Sequence, residues 1–188
     1  MKSNLVGVNF EILLEPFDSF LAWIGDFLAG HLYEGIFFSA LLETIVPPIP
    51  TLAVFPTAGF LASQQGLSIF EVIPMIILGG IGATIGTTAI YLIALKLGRT
   101  ILLKYLRFVK ISEKKLQRVE IWFEKYGDKA VFLGRMVPVM REMISVPAGL
   151  LKMKILKFVL YTFSGSLIWS TGTILAGYYF GASLDLFI

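Results

Sequence analysis

Prolines break two of the long apolar stretches of this chain in their middles, and that limits its fold more than any other feature. Residues 35–62 hold Pro47, Pro48, Pro50 and Pro56, and residues 130–151 hold Pro138 and Pro147. A proline inside a helix removes a backbone donor and clashes with the preceding turn, costing about 3 kcal/mol. Neither stretch is therefore expected to form one continuous helix. Each reads as two half-helices joined by a turn. Residues 73–95 and 158–181 are long enough to span a membrane: at about 1.5 Å per residue each reaches about 35 Å, against a hydrocarbon core of about 30 Å.

The chain as a whole is too apolar for an ordinary water-soluble domain. Of its 188 residues 56% are hydrophobic, and the mean hydropathy is +0.81, where soluble domains keep the apolar share near one half with abundant surface charge. Its length suits one membrane domain, and no long polar linker marks off a soluble module. With no cysteine and a single histidine, His31, thiolate chemistry and a histidine metal site are excluded. His31 beside Tyr33 and Glu34 reads as an interfacial residue. Nothing in the sequence asks for a cofactor, a metal or nucleic acid. The N-terminus has only Lys2 as a basic residue and no small-residue cleavage pattern, so a cleaved signal peptide is not expected.

Charge orients the chain. No lysine or arginine lies between Lys2 and Lys96, whereas residues 96–129 hold ten against four acids. Under the positive-inside rule this basic connector is cytoplasmic, as is the cluster of Lys152, Lys154 and Lys157. Glu34, Glu71 and Asp185 then fall on the outer side, and the two spans are antiparallel. Outer markers bracket the first broken stretch and inner markers the second, so both read as re-entrant hairpins entering from opposite faces. The expected fold is all-α: an inverted repeat of two re-entrant helical hairpins (35–62 and 130–151), each followed by a transmembrane helix (73–95 and 158–181). The repeat rests on charge and proline placement, not on residue-level self-similarity. Non-helical backbone at such depth is tolerated only where protein or a wet cavity covers it, a plan shared with secondary transporters.

Two further segments read as amphipathic. In residues 10–30 the acids Glu11, Glu15, Asp18 and Asp26 share a face, which describes an interfacial helix within an N-terminal region, 1–34. A tilted first span is the competing reading, and buried acids argue against it. Ser112 opens a second helix, to Tyr126, with Leu116, Val119, Trp122 and Phe123 at helical spacing among charges. Small residues at Gly79, Gly82, Ala83 and Gly86, and at Gly165, Gly172, Ala176, Gly177 and Gly181, let helices approach closely, within one chain or between copies of a homo-oligomer.

Three ionisable residues stand inside the broken stretches: Glu43 before the first proline cluster, and Arg135 and Arg141 on either side of Pro138. A charged side chain at the bilayer centre costs about 2.5 to 3.5 kcal/mol, so such residues persist where they gain a partner, a cavity or a ligand. Pro47, Pro48, Pro50, Pro138, Pro147 and Gly149 are the candidate hairpin-tip residues.

Taken as a set, Glu43 with Pro47-Pro-Ile-Pro50, Ala58-Gly-Phe-Leu-Ala62, Phe132-Leu-Gly-Arg135, Pro138, Arg141, Val146-Pro-Ala-Gly149, Met153, Phe158, Ile168-Trp169 and Ala176-Gly-Tyr-Tyr-Phe-Gly181 resembles the DedA family, also called SNARE-associated or VTT-domain proteins. The resemblance covers about residues 35–181. It implies a multi-pass plasma-membrane lipid transporter and not an enzyme. Bacterial members move polyprenyl phosphate carriers such as undecaprenyl phosphate, eukaryotic relatives scramble phospholipids, and members are associated with the proton motive force. By this resemblance the family's essential acid corresponds to Glu43 and its two essential arginines to Arg135 and Arg141. Two departures stand out. Pro50-Thr51-Leu52 replaces the Pro-Ser-Glu or Pro-Gly-Glu common in relatives, removing a second membrane carboxylate, for which Glu142 is the candidate substitute. The chain also has Tyr91-Leu-Ile-Ala94-Leu95, with Gly98-Arg99 arriving later than in the usual Tyr-x-x-Gly-Arg.

The mechanism expected from these residues has a phosphate headgroup between the hairpin tips, met by the guanidinium groups of Arg135 and Arg141, which donate in pairs. Glu43 would alternate with the ligand as their partner and take a proton when released. A fixed Glu43–arginine pair that only locks the hairpins is the competing structural reading. A small-ion or solute transporter of the same fold is the alternative function.

Overall fold

A computed structural model describes residues 26–43, 51–108 and 113–184. Most of the N-terminal amphipathic segment and Pro47, Pro48 and Pro50 lie outside these residues. Among the described residues all regular structure is helical: after a short helical piece at 26–30 come α1 (Leu32–Glu43), α2 (Thr51–Gln64), α3 (Ile69–Phe108), α4 (Glu113–Tyr126), α5 (Lys129–Arg135), α6 (Pro138–Met143), α7 (Ser145–Leu150) and α8 (Ile155–Leu184). Two helical stretches are long and apolar enough to cross a membrane, Ile69–Lys96 and Ile155–Ser183.

Their outward faces are those of lipid-facing helices. Along α3 the exposed residues Ile73, Ile77, Ile81 and Ile85 recur every four positions, and Leu156, Leu160 and Ile168 are exposed on α8. In water such stripes would be a large apolar patch, which soluble monomers avoid. The inward faces are small and mildly polar instead. Thr84, Thr87 and Thr88 donate to the carbonyls of Gly80, Ala83 and Thr84 one turn back, as Thr171 and Thr173 do to Leu167 and Trp169, so each hydroxyl is satisfied by its own helix.

Two details differ from the sequence reading. The first span ends at Lys96, close to the expected Leu95, but its helix continues beyond it. α3 runs 40 residues, about 60 Å at the usual rise, because residues 96–108 hold no proline and include Leu97, Ile101, Leu102, Leu103 and Leu106, which favour helix. The stretch 130–151 is three short helices and not two. Val137 is extended, with φ −103° and ψ 119°, since a residue before proline is pushed out of the helical region, and Pro138 then opens α6, where its missing N–H costs nothing. Pro147, lacking an N–H, leaves the carbonyl of Met143 without its helical donor and separates α6 from α7.

Packing follows a paired pattern. α1 lies against α3 and α5 against α8, while α2 lies along α8 and α7 along α3. In each half, then, one limb of the broken stretch packs on the span that follows it and the other limb on the span of the other half. The local chemistry is paired too. The helical bonding of α2 ends with Leu67 N donating to Ala62 O, and Gly66 is left-handed at φ 71°; α7 ends with Met153 N donating to Ala148 O, and Lys152 is left-handed at φ 54°. Tyr178 of α8 donates its hydroxyl to Leu67 O, and Tyr91 of α3 donates to Met153 O. Gly59 sits against the Ile174 carbonyl of α8, and Gly149 against the Tyr91 carbonyl of α3. Absence of a Cβ at these two glycines is what lets helix backbones touch.

Two apolar clusters result. One gathers Ile36, Phe55, Val72 and Ile174; the other gathers Tyr91, Val131, Ile144 and Phe158, with the rings of Tyr91 and Phe158 stacked 4.4 Å apart. Val119 and Phe123 of α4 join the second cluster, so the amphipathic helix of the connector is docked through its apolar face. Lys157 and Asp128 form an exposed ion pair of 2.7 Å where α8 begins. His31 is exposed with its ring stacked on Phe27.

Candidate functional site

Each of the three charged residues is delivered by a helix end. Glu43 is the last residue of α1, Arg135 the last of α5, and Arg141 lies in the final turn of α6. Close approach of α5 to α8 depends on Gly165, where a Cβ would come within 2.7 Å of Arg135 Cβ. That contact lays the Arg135 side chain on the following residue, Ser166.

The three side chains form one connected group. Arg141 Nη2 is 2.8 Å from Glu43 Oε2, and these side chains are only 6% and 9% exposed. Arg135 is buried, donating from Nε and Nη2 to Ser166 Oγ at 3.1 and 2.7 Å and from Nη1 to the backbone carbonyl of Arg141 at 2.8 Å. This last bond fills one of the carbonyls that the end of a short helix leaves without a donor. One guanidinium thereby holds the backbone that carries the other. Arg141 also lies over the indole of Trp169, 4.8 Å from the ring centroid, a geometry in which the ring quadrupole attracts the cation.

α8 runs from residue 155 to 184, so the group meets this helix near its middle, at Ser166 and Trp169. Two guanidinium groups and one carboxylate at this level form an electropositive cluster walled by apolar helix faces, and such a cluster favours an anion with several acceptor oxygens.

The other residues singled out from sequence are distributed as follows. Pro138 opens α6, and Pro147 and Gly149 are buried in α7 against α3. Glu142 follows Arg141 on α6, and its side chain lies outside what the structure describes. Leu52 is exposed at the start of α2. Sequence reasoning did not single out Ser166, or give Trp169 a role. The available signal was the spacing of Thr162, Ser166 and Ser170 at intervals of four along an apolar span, which puts three hydroxyls on one helix face.

Helices of this kind around a buried charged cluster define a class: helical membrane proteins with a buried polar site. The chain belongs to the VTT-domain, or DedA, family, matching the VTT domain over residues 49–179. It is similar to undecaprenyl phosphate transporter A of Staphylococcus aureus, 32% identical over 158 residues that make up 82% of this chain and 76% of that protein. The protein of the same name from Bacillus subtilis is 34% identical over 167 residues, 89% of this chain and 81% of that one. A Lactococcus lactis relative named alkaline phosphatase-like protein is 33% identical over 143 residues, 73% of this chain and 65% of its own length. No solved structure matches the chain.

Proposed function

We propose that this protein translocates a phosphate-bearing lipid, a polyprenyl phosphate of the undecaprenyl phosphate kind, across the plasma membrane. The observation that carries the reading is the Glu43–Arg141 ion pair braced by Arg135 at the middle of an apolar helix bundle. The names of the Staphylococcus aureus and Bacillus subtilis relatives point to the same substrate class. Arg135 and Arg141 meet the headgroup, and Glu43 is the partner that the phosphate displaces. At an effective dielectric near 20, two unit charges 4 Å apart interact by about 4 kcal/mol, similar to the cost of holding one charge at depth. Exchange of carboxylate for phosphate is therefore close to balanced. A displaced Glu43 takes up a proton, which couples the exchange to the proton gradient, with Glu142 as a second acid where Leu52 stands.

The surrounding architecture is read as an inverted repeat, with re-entrant hairpins at 35–62 and 130–151 and the 96–129 connector on the cytoplasmic side. Support comes from the exchange of hairpin limbs between the two spans and from the matched Tyr178–Leu67 and Tyr91–Met153 hydrogen bonds. In such a plan one half rocks against the other around a fixed central site.

The test is a headgroup-accessibility assay in liposomes holding purified protein, with undecaprenyl phosphate and a common phospholipid compared side by side. Protein-dependent movement of the polyprenyl phosphate, abolished by Arg141→Lys, is expected, and its rate should fall when the pH gradient is collapsed. Flux of labelled ions without headgroup movement would favour a small-ion or solute transporter. Release of inorganic phosphate from the lipid would favour an enzyme.

A further inference from the structure

We infer that Ser166, Trp169 and Ser170 of α8 form the neutral wall of an anion subsite, supplying hydrogen-bond donors to phosphate oxygens beside the two arginines; this rests on the phosphate-lipid reading above. Residues i, i+3 and i+4 of a helix share one face, and here that face carries donors that the protein does not use. Ser170 is buried to 1% exposure, and its Oγ has no hydrogen-bond partner among the described residues. Trp169 Nε1 is likewise buried without an acceptor. An indole N–H can only donate, so nothing but an acceptor satisfies it. Ser166 Oγ accepts from Arg135 twice, which occupies both its lone pairs and leaves its own proton to be donated elsewhere. A hydroxyl polarised by a guanidinium is a stronger donor than a free one.

These groups contrast with their neighbours. Thr171 and Thr173 on the same helix, and Thr84, Thr87 and Thr88 on α3, each return their hydroxyl to a carbonyl three or four residues back. Any hydroxyl in an apolar helix has that option. Ser166 and Ser170 do not take it, nor does Thr162 one turn earlier on the same face or Ser145 at the start of α7, and buried donors left so are disfavoured in lipid unless something else meets them. The ring that carries the idle Nε1–H is the one over which Arg141 lies, and Ser166 is the residue that anchors Arg135. Trp169 and Ser166 thus belong to the stretch of helix that receives both guanidinium groups, and Ser170 continues that face, one turn after Ser166, where its Oγ lies beside Gly79 of α3. A phosphate monoester, rich in acceptors and lacking donors when ionised, matches such a set; a bare cation or a sugar does not.

The test uses the full-length protein in detergent, with undecaprenyl phosphate and undecaprenol as paired probes, and three variants: Ser170→Ala, Trp169→Phe, which keeps a ring under Arg141, and Ser166→Ala. Each lost donor to a charged acceptor is expected to weaken undecaprenyl phosphate binding roughly tenfold. Binding of undecaprenol should not change, and the melting temperature of Ser170→Ala should hold or rise, because an idle buried polar group is being removed, while Trp169→Phe also gives up packing against the first apolar cluster and is read by the difference between the two lipids. Wild-type affinity for undecaprenyl phosphate in both Ser170→Ala and Trp169→Phe overturns the inference, as does an equal loss of affinity for both lipids, which marks a packing role. If Arg141→Lys weakens phosphate-lipid binding while the wall variants do not, only the wall assignment fails. If the wild-type protein does not distinguish the two lipids, the phosphate-lipid reading itself fails.

Discussion

Arg141 Nη2 stands 2.8 Å from Glu43 Oε2, joining residues 98 positions apart in the sequence. The pair ties the end of α1 to α6, and so ties the two broken stretches of the chain together. Buried ion pairs stabilise poorly compared with apolar packing, yet losing one partner is costly because the other charge stays behind in the low-dielectric interior. That asymmetry makes the pair suitable for exchange with an anionic ligand and gives it a mutational signature.

Glu43→Gln is expected to destabilise the protein by about 3 kcal/mol, read as a lower melting temperature in detergent. Arg141→Lys should be milder, since a cation remains opposite Glu43, but it loses the planar fork and the stacking on Trp169. Transport should fail in both variants. Retention of transport in Arg141→Lys would mean that a point charge is enough and that paired donation has no part in binding.

The α2–α8 contact makes a second prediction. A Cβ at Gly59 would overlap the Ile174 carbonyl, and one at Gly177 would overlap the Pro56 carbonyl, whereas Gly172 on the same helix has nothing within 4 Å. Backbone cannot yield as a flexible side chain can, so Gly59→Ala and Gly177→Ala should each cost about 1 to 3 kcal/mol. Gly172→Ala should instead stabilise the protein, by the roughly 1 kcal/mol that alanine gains over glycine in a helix, read as a higher melting temperature.

Lys152 offers a stabilising change. It holds φ 54° where the matching position after α2 is Gly66, and a left-handed backbone strains any residue with a Cβ by about 1 to 2 kcal/mol. Lys152→Gly should therefore raise thermal stability, and Gly66→Lys should lower it. No change in melting temperature for Lys152→Gly would mean that the chain entropy glycine adds to the unfolded state cancels the relief.

What the sequence made legible was whatever carries charge or breaks a helix. Residues 73–95 and 158–181 fall within the two spanning helices because apolar runs of that length have few alternatives. Glu43, Arg135 and Arg141 were found because charge in an apolar stretch demands a partner, and the structure brings the three together. The split between α6 and α7 was missed because the consequence of Pro147 depends on where the preceding helix begins, which Pro138 sets. The continuation of α3 past its span was not read because a helix does not stop where its residues turn polar. Ser166 was invisible for a different reason. A serine in a span commonly bonds to its own helix, and only the docking of α5 at Gly165 makes it the seat of Arg135.

The matched tyrosines allow the paired architecture to be tested without any transport assay. Tyr91 donates to the carbonyl of Met153, just past α7, and Tyr178 donates to that of Leu67, just past α2. Each bond fixes the spanning helix of one half to the end of the broken stretch of the other. Replacing the donor leaves a carbonyl unsatisfied, which costs about 1 to 3 kcal/mol where it is buried. Tyr91→Phe and Tyr178→Phe should each lower the melting temperature, with the larger effect at Tyr91, whose side chain is fully buried. The double variant should lose the sum of the two, because the tyrosines sit in separate clusters and distant sites add. A double loss well below that sum would show that one junction has already opened when the other gives way, so that the two ends melt as one unit.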